Sequence, residues 1–174
     1  MKILNLHGLN GSSENTNYRF LSEYFKGRED VEIISPQLDY ATRDPYGVFG
    51  ELLTAYDDVD LIVGNSFGGF FAYLLCGLYR KKTILINPCI PPARYIPKLS
   101  PGYAYTKELE EIWNKIGTCK IDNYVMLLGK DDEVLDTNIT LDILNPKTEQ
   151  FSMISGGHSL SGSEYENWFK EQLK

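Results

Sequence analysis

The residues best suited to chemistry lie in the stretch Gly64-Asn65-Ser66-Phe67-Gly68. It follows the apolar run 61–64 and precedes a strongly apolar segment, which predicts a sharp turn from a buried strand into a buried helix. A glycine on each side of the serine lets the strand and the helix pack closely at that turn. Such a turn holds the hydroxyl clear of the sheet, at the positive end of the helix. The spacing therefore predicts that Ser66 is a nucleophile.

Two other interpretations of this turn are a structural glycine-rich connection and a phosphate-binding loop. A phosphate-binding loop would bring a P-loop lysine or the pattern G-x-G-x-x-G, and the sequence contains neither. A structural connection remains compatible with the stretch taken alone. The choice between them depends on whether the chain supplies partners for the serine.

A serine nucleophile requires a base, because its free hydroxyl is scarcely ionised at neutral pH. His158 follows the apolar run 150–154 and a Gly156-Gly157 pair that can carry an imidazole over the edge of the sheet. His7, the other histidine, ends the first apolar run, where we expect it to anchor the loop beside Ser66. His158 is therefore the predicted base, and an ordinary surface histidine is the alternative.

An orienting carboxylate is expected after the fifth apolar run, in the acidic stretch Gly129-Lys130-Asp131-Asp132-Glu133. Acidic loop residues are commonly only solvated, and their adjacency leaves Asp131 open beside Asp132. The chain order Ser66, Asp132, His158 matches the Ser–Asp–His order of the α/β-hydrolase fold rather than the other known triad orders. Asp132 is the predicted acid, with Asp131 as the alternative.

Backbone N–H groups are expected to hold the oxyanion that forms when a serine attacks a carbonyl group. Phe67, directly after the nucleophile, is one predicted donor. The second donor is expected from the loop His7-Gly8-Leu9-Asn10, with Leu9 as the first choice. The expected reaction needs no cofactor and no metal.

These residues lie at the ends of short apolar runs that alternate with amphipathic, helix-like segments. The runs, mostly aliphatic as in buried strands, are 2–7, 31–34, 61–64, 83–87, 124–129 and 150–154. The last helix is expected to begin with a capping box, Ser163 with Glu166. This alternation predicts an α/β fold, a three-layer α/β/α sandwich around a six-stranded, mainly parallel sheet. Ligands bind at the carboxyl ends of the strands in such sheets.

The segment 88–105 is the one long stretch in which we expect no regular structure, because it contains five prolines. Loops of this length are often lids. Its Cys89 could be considered as a thiol nucleophile, but no sharp-turn pattern surrounds it, and a small buried cysteine is the expectation. Several tyrosines in the loops after the second and fourth runs could either line an acyl pocket or cover the surface. They are Tyr40, Tyr46, Tyr95, Tyr103 and Tyr105.

Length and charge limit the classes of function. The 174 residues predict a single domain, 1–174. Seventeen Lys and Arg against 24 Asp and Glu give a net charge of −7, which disfavours nucleic acid and anionic membranes as partners. No apolar run has the ~20 residues of a membrane span. Three widely spaced cysteines and an N-terminus without a signal-peptide pattern predict a cytoplasmic protein.

Five blocks of the sequence resemble the α/β-hydrolase superfamily, and within it the small, cap-less bacterial serine esterases of the YqiA-like type. The blocks are LNLHGLNGSS (4–13), IVGNSFGGFFAYLL (62–75), ILINPCIPP (84–92), GKDDEVLD (129–136) and ISGGHSLSG (154–162). The resemblance implies the α/β-hydrolase fold without a cap domain, with Ser66 as nucleophile, Asp132 as acid and His158 as base. The sequence departs from the family at Cys89, where alanine is common, and at Lys130-Asp131, where a shorter G-D-E pattern is common.

The predicted function is hydrolysis of a small-molecule carboxylic ester through an acyl-enzyme, with thioesters as further substrates. One alternative of another class is a hydrolase-like binding protein with little or no turnover. Another is a lyase or perhydrolase that keeps the serine but acts on substrates other than esters. The presence of all three triad residue types favours the hydrolase.

Overall fold

The centre of the protein is one parallel β-sheet, seen in a computed structural model that describes residues 1–119 and 121–174. Its strands are β1 (Lys2–Leu6), β2 (Glu32–Ile34), β3 (Leu61–Asn65), β4 (Lys82–Ile86), β5 (Tyr124–Gly129) and β6 (Phe151–Ile154). Their order across the sheet is β2-β1-β3-β4-β5-β6, with every neighbouring pair parallel. Each of the predicted apolar runs is confirmed as a strand, with ends that differ by at most one residue.

The strand register brings the loops that carry the candidate site residues to one edge of the sheet. Leu6 of β1 pairs with Gly64 of β3, and Ile86 of β4 pairs with Asn65. At the other side, Gly129 of β5 pairs with Ile154 of β6. Because all strands are parallel, the loops that follow β1, β3, β4, β5 and β6 meet at this carboxyl edge.

The helices that cover the sheet have the bounds α1 (Thr16–Tyr24), α2 (Pro45–Ala55), α3 (Phe67–Tyr79), α4 (Pro92–Leu99), α5 (Thr106–Ile112), α6 (Thr137–Leu144) and α7 (Ser163–Gln172). A π-helical turn, Trp113–Gly117, extends α5. Local chemistry explains where α2 begins. The Asp44 carboxylate accepts from the backbone N–H groups of Tyr46 and Gly47, and Pro45 occupies the first helical position.

Apolar side chains of the sheet alternate between two cores, one on each face. On one face Ile3 and Val63 pack with residues of α1 and α7, such as Leu21 and Phe169. On the other face, residues such as Leu4 pack with α2, α3 and α5. Both faces are therefore covered, which confirms the three-layer sandwich and explains why the central strands are buried nearly throughout.

Two local expectations are wrong. The segment 88–105 contains a helix, α4, whose Tyr95 and Ile96 are buried in the core. Pro92 is at the start of this helix, where no N–H is needed, and burial of those side chains outweighs the interruption by Pro97. The capping box at Ser163 is also absent, since Gly162 is the N-cap with a φ of 88°.

The helices of the described residues are too short or too polar to cross a bilayer. The longest, α3, has 13 residues, whereas a membrane-spanning helix needs about 20. The apolar character of α3 has another cause, because it is buried between the sheet and the helices α2 and α5.

Candidate active site

Ser66 lies on a strained turn between β3 and α3. Its φ of 52° and ψ of −118° belong to a region that residues with a side chain rarely adopt. A Cβ at Gly68 would come within 2.5 Å of the carbonyl oxygen of Leu6, and one at Gly64 within 2.5 Å of the Cβ of Ala72. Only glycine fits at either position, because both neighbours belong to packed core elements. This is the sharp turn that the sequence predicts.

The turn is tied to the end of β4 by two backbone hydrogen bonds. The N–H of Ser66 donates to Ile86 at 3.0 Å, and the N–H of Cys89 donates to the carbonyl of Ser66 at 2.9 Å. Strained backbone of this kind costs about 1–3 kcal/mol and persists only where its surroundings enforce it. These two backbone hydrogen bonds and the close packing at Gly64 and Gly68 hold the Ser66 backbone in this strained conformation.

The three predicted triad residues are brought together at the carboxyl edge of the sheet. Nε2 of His158 lies 2.9 Å from Oγ of Ser66, and Nδ1 lies 2.9 Å from Oδ2 of Asp132. A carboxylate only accepts, so Nδ1 carries the proton and Nε2 is free to accept from the hydroxyl. The geometry therefore allows Ser66 to pass its proton to His158 while Asp132 holds the imidazole.

Asp132, rather than Asp131, makes the contact with the histidine. The Asp132 side chain is 0% exposed, and its Oδ1 also accepts from the N–H groups of Val134 and Leu135. Burial acts to raise the pKa of Asp132, but the hydrogen bonds from His158 and these N–H groups outweigh it, so the pKa lies below its ordinary value. Asp132 is thus ionised at neutral pH. Asp131, by contrast, is exposed, and its backbone N–H donates to the carbonyl of Gly156.

Two residues that sequence reasoning does not select hold the backbone of His158. Its N–H donates to Oε2 of Glu133 at 3.0 Å, and its carbonyl accepts from Nδ2 of Asn87 at 2.9 Å. Oδ1 of Asn87 accepts from the N–H of Gly129 at 2.8 Å, so the amide bridges β5 and the histidine loop. A polar residue at the end of the apolar run 83–87 is the available signal for Asn87.

The charge state of Glu133 suits this contact. Hydrogen bonds from its own backbone N–H and from that of His158 hold the pKa of Glu133 below its ordinary value. Its carboxylate is therefore ionised at neutral pH, and charge-assisted hydrogen bonds are stronger than neutral ones. The acidic stretch after β5 thus supplies one carboxylate to the imidazole and another to the backbone of the same histidine.

The loop after β1 lies against the turn that carries Ser66. A Cβ at Gly8 would come within 3.1 Å of the Cβ of Ser66, and Leu9 follows directly. Phe67 begins α3, so its N–H has no acceptor within the helix. Phe67 directly follows Ser66 and Leu9 directly follows Gly8, and the role of both as oxyanion donors stays a prediction.

His7 holds this loop and is buried, 1% exposed. Its Nε2 accepts from the N–H of Leu38 at 2.9 Å, and its Nδ1 donates to the carbonyl of Gly8 at 2.7 Å. Both ring nitrogens are therefore engaged by backbone. This is the anchoring role expected for His7, and it leaves His158 as the histidine available to Ser66.

Four of the five loop tyrosines divide between core and surface, and Tyr105 is half-buried against the ring of Tyr103. Tyr40, Tyr95 and Tyr103 are buried, and the Tyr40 ring packs against Phe67 with 5.1 Å between ring centroids. Tyr46 is on the surface, where its hydroxyl donates to Glu111. The buried three belong to the core rather than to the surface cover, and a role in an acyl pocket stays a prediction.

Cys89 is completely buried behind the serine turn. Burial raises the pKa of its thiol well above the ordinary value, with a smaller contribution from the charge of Asp132. A thiol held in its neutral form is a poor nucleophile. Cys89 is therefore a packing residue, as expected.

Solved structures share this architecture at low sequence identity. Est1E from Butyrivibrio proteoclasticus superimposes with a TM-score of 0.72 and 17% identity, covering 99% of this chain and 88% of its own. The α/β hydrolase domain-containing protein 10 from mouse gives 0.67 and 14%, with coverage of 99% and 87%. S-formylglutathione hydrolase (FrmB) from Staphylococcus aureus gives 0.61 and 16%, with coverage of 99% and 82%. The fold is that of the α/β hydrolases.

Sequence comparison gives a closer relationship. A UPF0227 protein from Serratia proteamaculans (strain 568) is 28% identical over 159 residues, covering 82% of each chain. The family model described as "Uncharacterised protein family (UPF0227)" matches residues 2–168, nearly the whole sequence. The chain therefore belongs to the UPF0227 family.

Proposed function

We propose that the protein is a serine hydrolase that cleaves carboxylic esters, and thioesters by the same route, through an acyl-enzyme. The observation that carries this proposal is the hydrogen-bonded series from Ser66 through His158 to Asp132, with 2.9 Å at each step. The strained serine turn adds support, because backbone strain tends to be kept where function requires it.

In the first half of the reaction, Oγ of Ser66 attacks the acyl carbonyl while Nε2 of His158 takes its proton. The tetrahedral intermediate collapses as His158 gives that proton to the departing oxygen or sulfur, which leaves the acyl group on Ser66. In the second half, water attacks the acyl-enzyme, gives its proton to His158, and the acid departs as Ser66 is reprotonated. The Asp132 carboxylate stabilises the imidazolium at each stage.

The oxyanion in this mechanism is held by the backbone N–H groups of Leu9 and Phe67. The Phe67 N–H is at the positive end of α3, where a developing negative charge is stabilised. Loss of one such donor typically costs about 3–4 kcal/mol of transition-state stabilisation. The closeness of Gly8 to Ser66 supports a contribution from the neighbouring Leu9.

The structural relatives support hydrolysis as the general class. One of them is named as an S-formylglutathione hydrolase and another as an α/β hydrolase domain-containing protein. Their identities of 16% and 14% are too low to transfer a substrate. The ester and thioester specificity proposed for this chain therefore rests on the chemistry of Ser66 and His158.

The test is hydrolysis of short-chain aryl esters and of matched thioesters by the intact protein. Ser66→Ala and Asp132→Asn are each expected to lower kcat by about 10⁴-fold or more. Asp131→Asn is the matched control, because it changes an adjacent carboxylate that lies exposed, and it should retain activity. Absence of hydrolysis by the folded protein, or unchanged hydrolysis in Ser66→Ala, would contradict the proposal and favour a binding protein.

A further inference from the structure

A polar cavity of about 300 Å³ lies beside the triad. Asn65 and Ser159, the chain neighbours of Ser66 and His158, contribute to its wall, and the opposite wall is the loop after β1 and the first turn of α1. His158 must protonate the departing group, so that group lies on the histidine side of Ser66. We propose that this cavity binds the leaving group of the substrate and that this group carries a carboxylate or a phosphate. This inference rests on the proposed function.

The first turn of α1 supplies hydrogen-bond donors to the cavity. The helix has nine residues, and Oδ1 of its N-cap, Asn15, accepts from the N–H of Tyr18 at 2.9 Å. The N–H groups of Thr16 and Asn17, in the same turn, have no acceptor within the helix. Both residues line the cavity. Donors at a helix N-terminus, together with the helix dipole, favour a bound anion.

Asn17 provides an independent reason to expect a ligand here. It lines the cavity and is only 3% exposed, and its Oδ1 accepts from the hydroxyl of Tyr165 at 2.7 Å. That bond directs Nδ2 away from the tyrosine, and within residues 1–119 and 121–174 Nδ2 has no hydrogen-bond partner. A buried amide donor left unpaired is unfavourable. An oxygen of a bound carboxylate or phosphate would satisfy it.

Two charged side chains of opposite sign line the cavity. Arg19 lines it, one turn along α1 from the N-cap. Glu14 is the carboxylate at the cavity, and it is exposed, so solvent screens it. Arg19 is exposed and screened in the same way, so the two charges offset each other, and the preference for an anion rests on the donors of the helix N-terminus and of Asn17.

A second cavity, of about 450 Å³, extends this site along α1. It shares Thr16 and Arg19 with the first, and it continues between α1 and α7 past the rings of Phe20, Tyr24 and Tyr165. A leaving group with its anionic part at Arg19 would have room to continue along this aromatic surface. Glu23, Glu166 and Lys170 also line the second cavity, so its charge is mixed and it has no preference for an anion. The arrangement therefore suits large leaving groups whose anionic end stays in the first cavity and whose apolar part extends along α1.

The experiment compares four acetate esters that share one phenol core: phenyl acetate, 4-acetoxybenzoate, 4-acetoxyphenyl phosphate and a 4-trimethylammonium phenyl acetate. In Arg19→Gln, the ratio of kcat/KM for the two anionic esters over phenyl acetate should fall about fivefold. Asn17→Asp keeps the acceptor for Tyr165 and replaces the free donor by a carboxylate oxygen. It should lower the same ratio further and raise the ratio for the cationic ester.

Arg28→Gln is the matched control, because Arg28 is an exposed arginine that pairs with Asp30, outside both cavities. It should leave all ratios unchanged.

The outcomes in Arg19→Gln separate the two anionic groups. A larger fall in the kcat/KM ratio for the phosphate ester than for the benzoate identifies phosphate as the preferred group, and the reverse identifies carboxylate. If the wild type hydrolyses none of the esters, the proposed function fails. If it hydrolyses them and Arg19→Gln leaves the anionic ratios unchanged, the leaving-group inference is overturned. Arg19 is exposed, so its substitution tests the inference even if Asn17→Asp does not fold.

Discussion

The backbone N–H of His158 donates to the carboxylate of Glu133 at 3.0 Å, so an acidic side chain outside the hydrogen-bonded triad positions its histidine. Glu133→Ala is expected to lower kcat about tenfold with little change in KM, because a misplaced base slows proton transfer more than binding. Glu133→Gln keeps an amide oxygen as acceptor and should restore most of the activity. Asp131→Asn is the control for loss of a nearby charge, and equal activity in Glu133→Ala and Asp131→Asn would exclude the positioning role.

Asn87 holds the same loop from the other side and should also be important for stability. It is 1% exposed, its φ is 40°, and its amide bonds both Gly129 and His158. Asn87→Ala leaves buried backbone groups unpaired, so the free energy of unfolding should fall by about 2–4 kcal/mol. Urea unfolding measures this. Asn123→Ala, which removes one bond from an exposed asparagine to Arg80, is expected to cost less than about 1 kcal/mol.

Two glycines should respond oppositely to the same substitution. A Cβ at Gly68 would collide with the backbone of Leu6 and His7, so Gly68→Ala is expected to destabilise the fold by about 2–3 kcal/mol. Gly50, inside α2, has no atom within 4 Å of the position that a Cβ would take. Gly50→Ala should therefore stabilise the protein by about 0.5–1 kcal/mol. Thermal unfolding of both variants checks this, and equal shifts would contradict the packing of the serine turn.

His7 should make stability depend on pH. Burial lowers the pKa of His7 below its ordinary value of 6.5, although its bond to Gly8 acts the other way. A proton on Nε2 would also face the N–H of Leu38. Because the unfolded chain binds a proton near pH 6.5 and the folded chain resists it, the free energy of unfolding should fall as the pH decreases from 7 through 6.5 towards the folded pKa.

The variant His7→Gln removes this titration while keeping a side chain of similar reach. Urea unfolding at several pH values is the measurement, and the slope of the free energy of unfolding against pH should be shallower in the variant by up to about 1.4 kcal/mol per pH unit. Identical slopes in the two proteins would show that His7 titrates alike in the folded and unfolded chains.

The sheet and the positions of the triad residues can be predicted from sequence because they depend on local signals. Buried parallel strands are short apolar runs, and the residues at their carboxyl ends meet at one edge whatever the details of the helices. Ser66 and His158 can be selected in this way, since each follows a strand. Chain order selects the acidic stretch after β5 as the source of the carboxylate, and only the hydrogen bond to His158 in the structure separates Asp132 from Asp131.

The contacts that position the triad cannot be predicted, because they depend on side-chain geometry between distant segments. Asn87 and Glu133 each meet His158 across the sheet edge, and sequence separation gives no measure of that distance. The helix α4 could not be predicted for a different reason. Its prolines disfavour a helix locally, and the burial of Ile96 in the core, which outweighs them, exists only in the folded chain.

The most direct measurement is covalent labelling of the folded protein with a fluorophosphonate at neutral pH, followed by peptide mass analysis. The account predicts a single adduct on Ser66, absent in Ser66→Ala and formed much more slowly in His158→Ala, because the hydroxyl is activated by the imidazole 2.9 Å away. A folded wild-type protein that forms no adduct, or that is labelled at another residue, would contradict it.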